Sequence, residues 1–509
     1  MSLVMAEEQT ENAADHFQGL SSNFLKWFKS NPGTRLSTKI TLADLRSRGA
    51  GRGVFTNAAI STGEELFAIP RNLVLHTTNS ELYSKIPDLF AELGPWDSLI
   101  LVLIYEYLHR DSSPWFPYLQ LLPTTFDTLM FWTPAELLEL QGSAVVDKIG
   151  KESAEENWNH TIFPIMMENE ALFPLSTENA TDRQRQLLQL AHMTGSMIMA
   201  YAFDLDADSY GNSDQNAADE GDSDLTEDED NPTKGMVAFA DMLNADAHRN
   251  NARLFHEDDF LIMKATKAIG AEEEVFNDYG PLPRSDLLRM YGYVTDNYST
   301  FDVVEISADL IENVAASSGM DRSYLIQKRR DLESLGLIDD AFVIVRPESG
   351  STLDEIIPVD LRMLITAFCQ PGENFHPSKL SQNVKESSLA LSEACLLFTS
   401  ITNRLGDYKS SLQEDLDILE KLKSKDNHPL PDGVSHKRYE MAVQVRKGEK
   451  EILQQVMQQL RDFVDAHTRQ IAGDPAKRKR NEIETTGLSK KRLMPEQFNS
   501  FSTSEAHDQ

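Results

Sequence analysis

Two polar knots stand close together in this chain, ADMLNAD at 240–246 and FNDYG at 276–280. An amide and acids in the first, and a tyrosine beside glycine in the second, can bind a ligand and polarise a reacting group. Between them DDFLIMKAT (258–266) reads as a strand, and EEVFNDYG opens on a second one at Val275 and Phe276. Pro281 and Pro283 bar either strand or helix from running on. Ser285 is then the expected N-cap of a helix, SDLLRMYGY. Tyr279 and Tyr291 therefore flank one sharp turn and are expected to face one pocket. Taken alone, Tyr279 reads better as an ordinary half-buried turn residue; the residues around it reverse that reading.

A second candidate lies upstream. In SRGAGRGVFTNAAISTGEELFAIPRNLVL (47–75), Gly49, Gly51 and Gly53 alternate ahead of Val54 and Phe55. STGEE is a turn between two strands, so one reading is a glycine-rich hairpin. A dinucleotide fingerprint is excluded, because its glycines should follow a strand and open a helix. No GxxxxGK[ST] phosphate loop occurs.

Together these stretches resemble the SET-domain protein-lysine methyltransferases, in the branch that holds the Rubisco large-subunit methyltransferases and the fungal ribosomal lysine methyltransferases. The resemblance is specific over about 24–294 and rests on layout alone to about 471. It implies an α+β fold: small β-sheets with a knot-like end, a large helical insert, and an all-α C-terminal substrate-binding domain. It also implies S-adenosylmethionine as cofactor. Matched residue by residue, cofactor contacts fall on Ala50, Gly51, Arg52, Asn244, Ala245 and Tyr291. Tyr279 becomes the central catalytic tyrosine, and Tyr201 and Asp241 line the lysine channel; Tyr201 reads equally as core on an apolar helix face. The family's usual Asn-His is Asn244-Ala245 here, so ring contacts of that histidine are lost, and His248 does not stand in for it. The flanking zinc cysteines of histone-methylating relatives are missing, and no metal site is expected. The implied substrate is a non-histone protein, a large-subunit ribosomal protein being the first choice. Histidine methylation, or a catalytically weak SET domain that only binds a basic protein, remain as alternatives.

The elements that must position these residues follow from pattern. Residues 1–20 are polar and expected to be disordered, and 22–29 (SNFLKWFK) helical up to Asn31-Pro32-Gly33. The SET domain is expected over 21–295, with its helical insert at about 81–235. Within the insert, 96–110 is apolar around most of its circumference and reads as a buried helix. Thr133-Pro134-Ala135-Glu136 is a helix start, and 185–205 shows one apolar helical face. The helical substrate-binding domain is expected at 300–472. In it 435–473 is a long amphipathic stretch, for packing in the domain or for a coiled coil.

The chain has 509 residues and a net charge of −33. Residues 204–230 hold twelve acids and no base, so 204–234 is expected to be a disordered acidic loop. An acidic protein repels phosphates and suits basic protein partners rather than nucleic acid. No stretch is long and apolar enough for a membrane span, and a monomer is expected. The two cysteines, Cys369 and Cys395, fit a reducing compartment. In the tail, 473–509, KRKR at 477–480 and KKR at 490–492 have the spacing of a bipartite nuclear import signal.

Overall fold

The computed structural model describes residues 2–175, 179–205, 233–371, 375–424 and 429–473. The acidic run from 206 to 232 and the basic tail lie outside the described residues. The chain divides into two units. The first comprises Met1–Trp132, Asp147–Leu282 and Asp286–Tyr298. Its strands are β1 (Arg35–Leu36), β2 (Ile40–Asp44), β3 (Arg52–Thr56), β4 (Glu65–Pro70), β5 (Ala202–Asp204), β6 (Lys234–Met236), β7 (Ala252–His256), β8 (Phe260–Ala265) and β9 (Glu274–Val275).

They form three small sheets, ordered β1-β4-β8-β7, β2-β3-β9 and β5-β6. The expected hairpin of β3 and β4 is not made. β3 pairs antiparallel with β2 and β9, and β4 with β1 and β8. β3 pairs with the strand just before it, β2, and with distant β9, while β4 takes distant β8, and these pairings outweigh the short STGEE turn. β4 is buried along Leu66, Phe67, Ala68 and Ile69, so it needs neighbours on both edges.

The insert is helical. Helix Pro95–His109 is buried from Asp97 to Glu106, as its apolar circumference requires. Its deepest acid, Glu106, accepts hydrogen bonds of 2.6 Å from Ser80 and Ser113, which answers the cost of burying it. Helix Ala180–Tyr201 runs beside it and delivers Tyr201 at its last turn.

The N-terminus corrects the expectation of disorder: a helix spans Ser2–Ser30. Phe24 and Phe28 are fully buried, and Leu20 and Trp27 pack on the same core. One apolar stripe therefore anchors the helix, and alanine, glutamate and methionine, all good helix formers, continue it backwards.

The second unit comprises Thr133–Val146, Pro283–Ser285 and Ser299–Gln509. It is helical, with one antiparallel ribbon of β10 (Val303–Ser307) and β11 (Ala341–Val345). Two short segments expected in the SET region, 133–146 and 283–285, belong to this unit instead. Thr133 caps its helix by a reciprocal box with Glu136, and Glu136 pairs with Arg438 at 2.7 Å. Arg284 is buried and grips Asp302 at 2.6 Å. The long helix His436–Gly473 buries Ile452, Leu453, Val456 and Leu460 inside the unit, so its stripe serves domain packing. Among the described residues no helix is long and apolar enough to cross a membrane.

Candidate active site

Three chain segments meet at the glycine turn. Gly49 takes a left-handed φ of 79° after a single 3-10 turn, and the Leu45 N–H closes the loop on the Gly51 carbonyl at 2.9 Å. The glycine that packing demands is Gly53. A Cβ there would stand 2.5 Å from Leu45 Cδ1, 2.9 Å from Glu274 Oε1 and 3.1 Å from Asn244 Nδ2. Asn244 crosses this close approach. Its Nδ2 donates to the Arg52 carbonyl at 3.1 Å and to Glu274 Oε1 at 2.8 Å. Its own carbonyl accepts the Asn277 N–H at 2.8 Å. Ala245 pairs with Asn277 in a parallel bridge. The two polar knots thus lie side by side, and the side chain lost at Ala245 leaves that backbone pairing intact.

Ala50 is half-buried and Gly51 exposed, so the turn presents backbone. The Arg52 side chain is engaged elsewhere in the unit. It donates to Leu121 O at 2.9 Å and Ser21 Oγ at 3.2 Å, and its guanidinium lies 4.0 Å from the Phe17 ring centre. Burial, with the nearby Arg46, lowers its pKa to about 10.

Tyr279 and Tyr291 meet. Their rings stack at 4.5 Å between centroids, with 11° between planes, and Tyr293 meets Tyr291 edge-on at 6.4 Å. The helix that carries Tyr291 begins at Arg284 rather than being capped by Ser285. Pro283 lacks an N–H and suits the position before a helix. The helix then widens to π-type bonding over Leu287–Tyr291, a distortion often found at functional sites. It ends on Gly292, left-handed at φ 73°. A Cβ at Gly292 would stand 2.8 Å from the Thr128 nitrogen and 2.9 Å from the Asp127 carbonyl carbon.

Burial, then Tyr291, pushes the Tyr279 phenol well above its usual range, so it stays neutral at any physiological pH. Its hydroxyl makes one long bond, 3.5 Å to Leu243 O. Burial pushes Tyr291 up to about 12. Tyr201 also reaches about 12, through burial and then Asp241. Tyr201 is within electrostatic reach of Asp241 and of Tyr279, while direct ring contact joins Tyr279 and Tyr291.

Asp241 is 8% exposed and follows a strained residue. Phe239 has φ 85°, costly for an aromatic side chain. The rings of Phe24, Phe28 and Phe67 hold it in place. Tyr118 donates to Asp241 Oδ2 at 2.5 Å, and Oδ1 is buried without a hydrogen-bond partner. Burial pushes this carboxyl up to about 7, with Tyr118 offsetting only part of the effect.

Several participants escape sequence reasoning: Tyr118, Tyr293, and Asp246 as an organiser. Asp246 accepts the His248 and Arg249 N–H groups, the Arg249 guanidinium at 2.7 Å and Asn297 Nδ2 at 2.7 Å. Burial would raise its carboxyl, but Arg249 and these N–H groups outweigh that and hold it low. His248 is exposed and touches the site through its backbone alone. Among the described residues no group of three or more His, Cys, Asp or Glu could hold a metal ion.

The SET-domain family profile matches residues 51–280, and the Rubisco LSMT substrate-binding profile matches residues 347–453. The chain is 34% identical over 311 residues to ribosomal lysine N-methyltransferase 4 of Saccharomyces cerevisiae, covering 59% of this chain and 60% of that protein. It is 29% identical over 467 residues to N-lysine methyltransferase SETD6 of Mus musculus, covering 86% and 90%. A solved structure of Rubisco LSMT bound to AdoMet superposes with a TM-score of 0.59 at 20% identity, covering 87% of this chain and 92% of that one. With a SET profile that takes in Asn244 and Tyr279 and a Rubisco LSMT-type profile after it, the chain belongs to the SET-domain protein-lysine methyltransferases of the Rubisco large-subunit methyltransferase-like branch.

Proposed function

We propose that the chain transfers the methyl group of S-adenosylmethionine to a lysine of a large-subunit ribosomal protein. Protein-lysine methylation with this cofactor comes with the family. The observation that carries it to particular residues is the Tyr279–Tyr291 stack, 4.5 Å between ring centres. The residues present fit the cofactor. Gly53 removes the one Cβ that would fill the cradle, Ala50, Gly51 and Arg52 offer backbone, Asn244 crosses the cradle, and Tyr291 forms a wall. When bound, S-adenosylmethionine supplies a methyl group on a positively charged sulfur.

The chain's part is to present a neutral amine in line with that methyl. Lysine in water has a pKa of about 10.4 and arrives as ammonium. Low-dielectric surroundings of the kind that raise the phenols of Tyr201, Tyr279 and Tyr291 disfavour the charged form. Tyr279, neutral and only weakly bonded to Leu243 O, has its hydroxyl oxygen available to electron-poor methyl hydrogens. Holding the two reactants aligned contributes further.

The ribosomal assignment is supported by the yeast relative's name and by the net charge of −33, which favours a basic substrate. The bipartite basic run at 477–492 supports residence in the nucleus. Deleting 477–492 moves the protein to the cytosol if the run is an import signal; unchanged location reduces it to a solvated patch. The function itself is tested by incubating the protein with isotopically heavy S-adenosylmethionine and large ribosomal subunits, then mapping the label by mass spectrometry. Label on a lysine of one ribosomal protein is expected. Label on histidine, or none alongside retained binding of a basic protein, contradicts the proposal.

A further inference from the structure

We infer that Arg284, locked on Asp302 against Gly448, is a positioning residue for the Tyr279–Tyr291 pair: it fixes the first turn of the helix that carries Tyr291. The inference deepens the reading above, in which Tyr291 walls the cofactor, and rests on it for its effect on methyl transfer.

The first observation is the completeness of the clamp. Arg284 and Asp302 are both buried. Arg284 donates to the Asp302 carboxylate through its backbone N–H at 3.2 Å, through Nε at 3.1 and 3.0 Å and through Nη2 at 2.6 Å. Arg346 adds a bond of 2.9 Å to the same carboxylate, and also holds Glu451 at 3.0 Å and the Ser299 carbonyl at 2.7 Å. All of these residues lie in one compact unit. A buried ion pair adds little net stability over well-packed apolar side chains. What a forked pair with this many donors does supply is a fixed direction.

The second observation is Gly448. It lies inside the long helix His436–Gly473, where glycine is among the poorest helix formers. A Cβ there would overlap Asp302 Oδ2 and stand 2.5 Å from Arg284 Nη2. Its carbonyl also accepts from Arg346 at 3.4 Å. The missing side chain lets the helix backbone close over the ion pair. Arg284 and Asp302 are bonded to each other at several atoms, so neither can swing aside alone.

The third is where the clamp acts. Arg284 is the first residue of the helix that widens over Leu287–Tyr291 and stops on Gly292. Gly292 makes its own close approach to Asp127 and Thr128, and Leu287 and Leu288 are fully buried between the two ends. The helix is therefore fixed at its first residue and at its stop, with the π-type turn between them. Such turns are found mostly at functional sites. On the other side Pro281 and Pro283 stiffen the five-residue step from Tyr279 to Arg284. A site on a rigid helix is as exact as the support of that helix. Arg284 is fully buried, so it acts on the tyrosines through the chain on either side of it.

The test compares four full-length proteins: wild type, Gly448→Ala, the double variant Arg284→Met with Asp302→Leu, and Leu460→Ala. The double variant removes both charges together, so neither is left buried and unpaired. Leu460 is buried in the same long helix as Gly448 but outside the clamp, so Leu460→Ala reports what loss of stability does by itself. Carbon-13 spectra of ring-labelled tyrosine, assigned with Tyr279→Phe and Tyr291→Phe, read the stack through its ring-current shifts. Thermal unfolding, calorimetry with S-adenosylmethionine and single-turnover methylation of large ribosomal subunits run in parallel. In Gly448→Ala and in the double variant the Tyr279 and Tyr291 signals should move, and cofactor affinity should fall. Transfer should slow by up to about 10²-fold, the scale of a misplacement of about 1 Å set from outside the chemistry. Leu460→Ala should lower the thermal midpoint and leave signals and affinity as in wild type. Unmoved tyrosine signals in both folded clamp variants, or equal shifts in Leu460→Ala, overturn the inference and make Arg284 a structural ion pair. Moved signals in the clamp variants, with no cofactor bound even by wild type, overturn the reading of Tyr291 as a cofactor wall and leave the positioning role standing.

Discussion

At the scale of single residues, the site depends on contacts that one atom can break. Asn244 is the clearest case, because its amide spans the Arg52 carbonyl and Glu274 at 3.1 and 2.8 Å. Asn244→Ala removes both bonds and loosens the cradle around Gly53. Calorimetry should show S-adenosylmethionine affinity falling by roughly tenfold or more, since each such bond contributes about 1 kcal/mol. Asp241 offers a pH test. Its folded pKa of about 7 lies above the ordinary 3.8, so the folded state holds a proton that the unfolded chain has lost. Between pH about 4 and about 7 the wild-type stability must therefore fall as pH rises, by a few kcal/mol at most. Asp241→Asn cannot ionise and should lack this fall. Denaturant unfolding at pH 4.5 and pH 8 measures it; equal slopes in the two proteins contradict the buried-acid account. Tyr118 was not legible in the sequence, since its partner lies 123 residues away and its own surroundings, WFPYL, read only as apolar.

At the scale of elements, the legible parts were those settled locally. Pro281 and Pro283 force a turn, so Tyr279 and Tyr291 had to return toward each other, and their rings do stack. The apolar circumference of 96–110 leaves no solvent face, and the helix is buried. Thr133 with Glu136 forms the capping box its spacing suggests. What failed locally was decided by other partners: β3 pairs back on β2 while β4 joins distant β8 in a different sheet, and the Ser2–Ser30 helix depends on a stripe that packs on sequence-remote core. The π-type turn before Gly292 also left no signal, although Gly292 itself is required. Gly292→Ala puts a side chain at φ 73° and 2.8 Å from the Thr128 nitrogen. It should cost about 1–3 kcal/mol and displace Tyr291, lowering both thermal midpoint and cofactor affinity. A variant as stable as wild type would show that the 127–128 approach yields freely.

At the scale of the whole molecule, the motif-bearing half was legible through its knots, whereas the C-terminal half was legible only as helix. The membership of 133–146 depends on partners such as half-buried Arg438 and buried Arg446, whose targets no spacing rule names. The same second unit buries Asp415 between Arg446 and Lys450, a charge cluster that composition could not locate. The central claim concerns what the intact chain does with its tyrosine pair. Tyr279→Phe removes one oxygen and keeps the stacked ring, so fold and cofactor affinity should hold. The most direct measurement is single-turnover methylation of large ribosomal subunits at saturating S-adenosylmethionine, wild type against Tyr279→Phe, with cofactor affinity measured separately. Loss of a bond made in the transition state should lower the rate by on the order of 10²–10³. Equal rates in two folded proteins would make Tyr279 a turn residue and contradict the account.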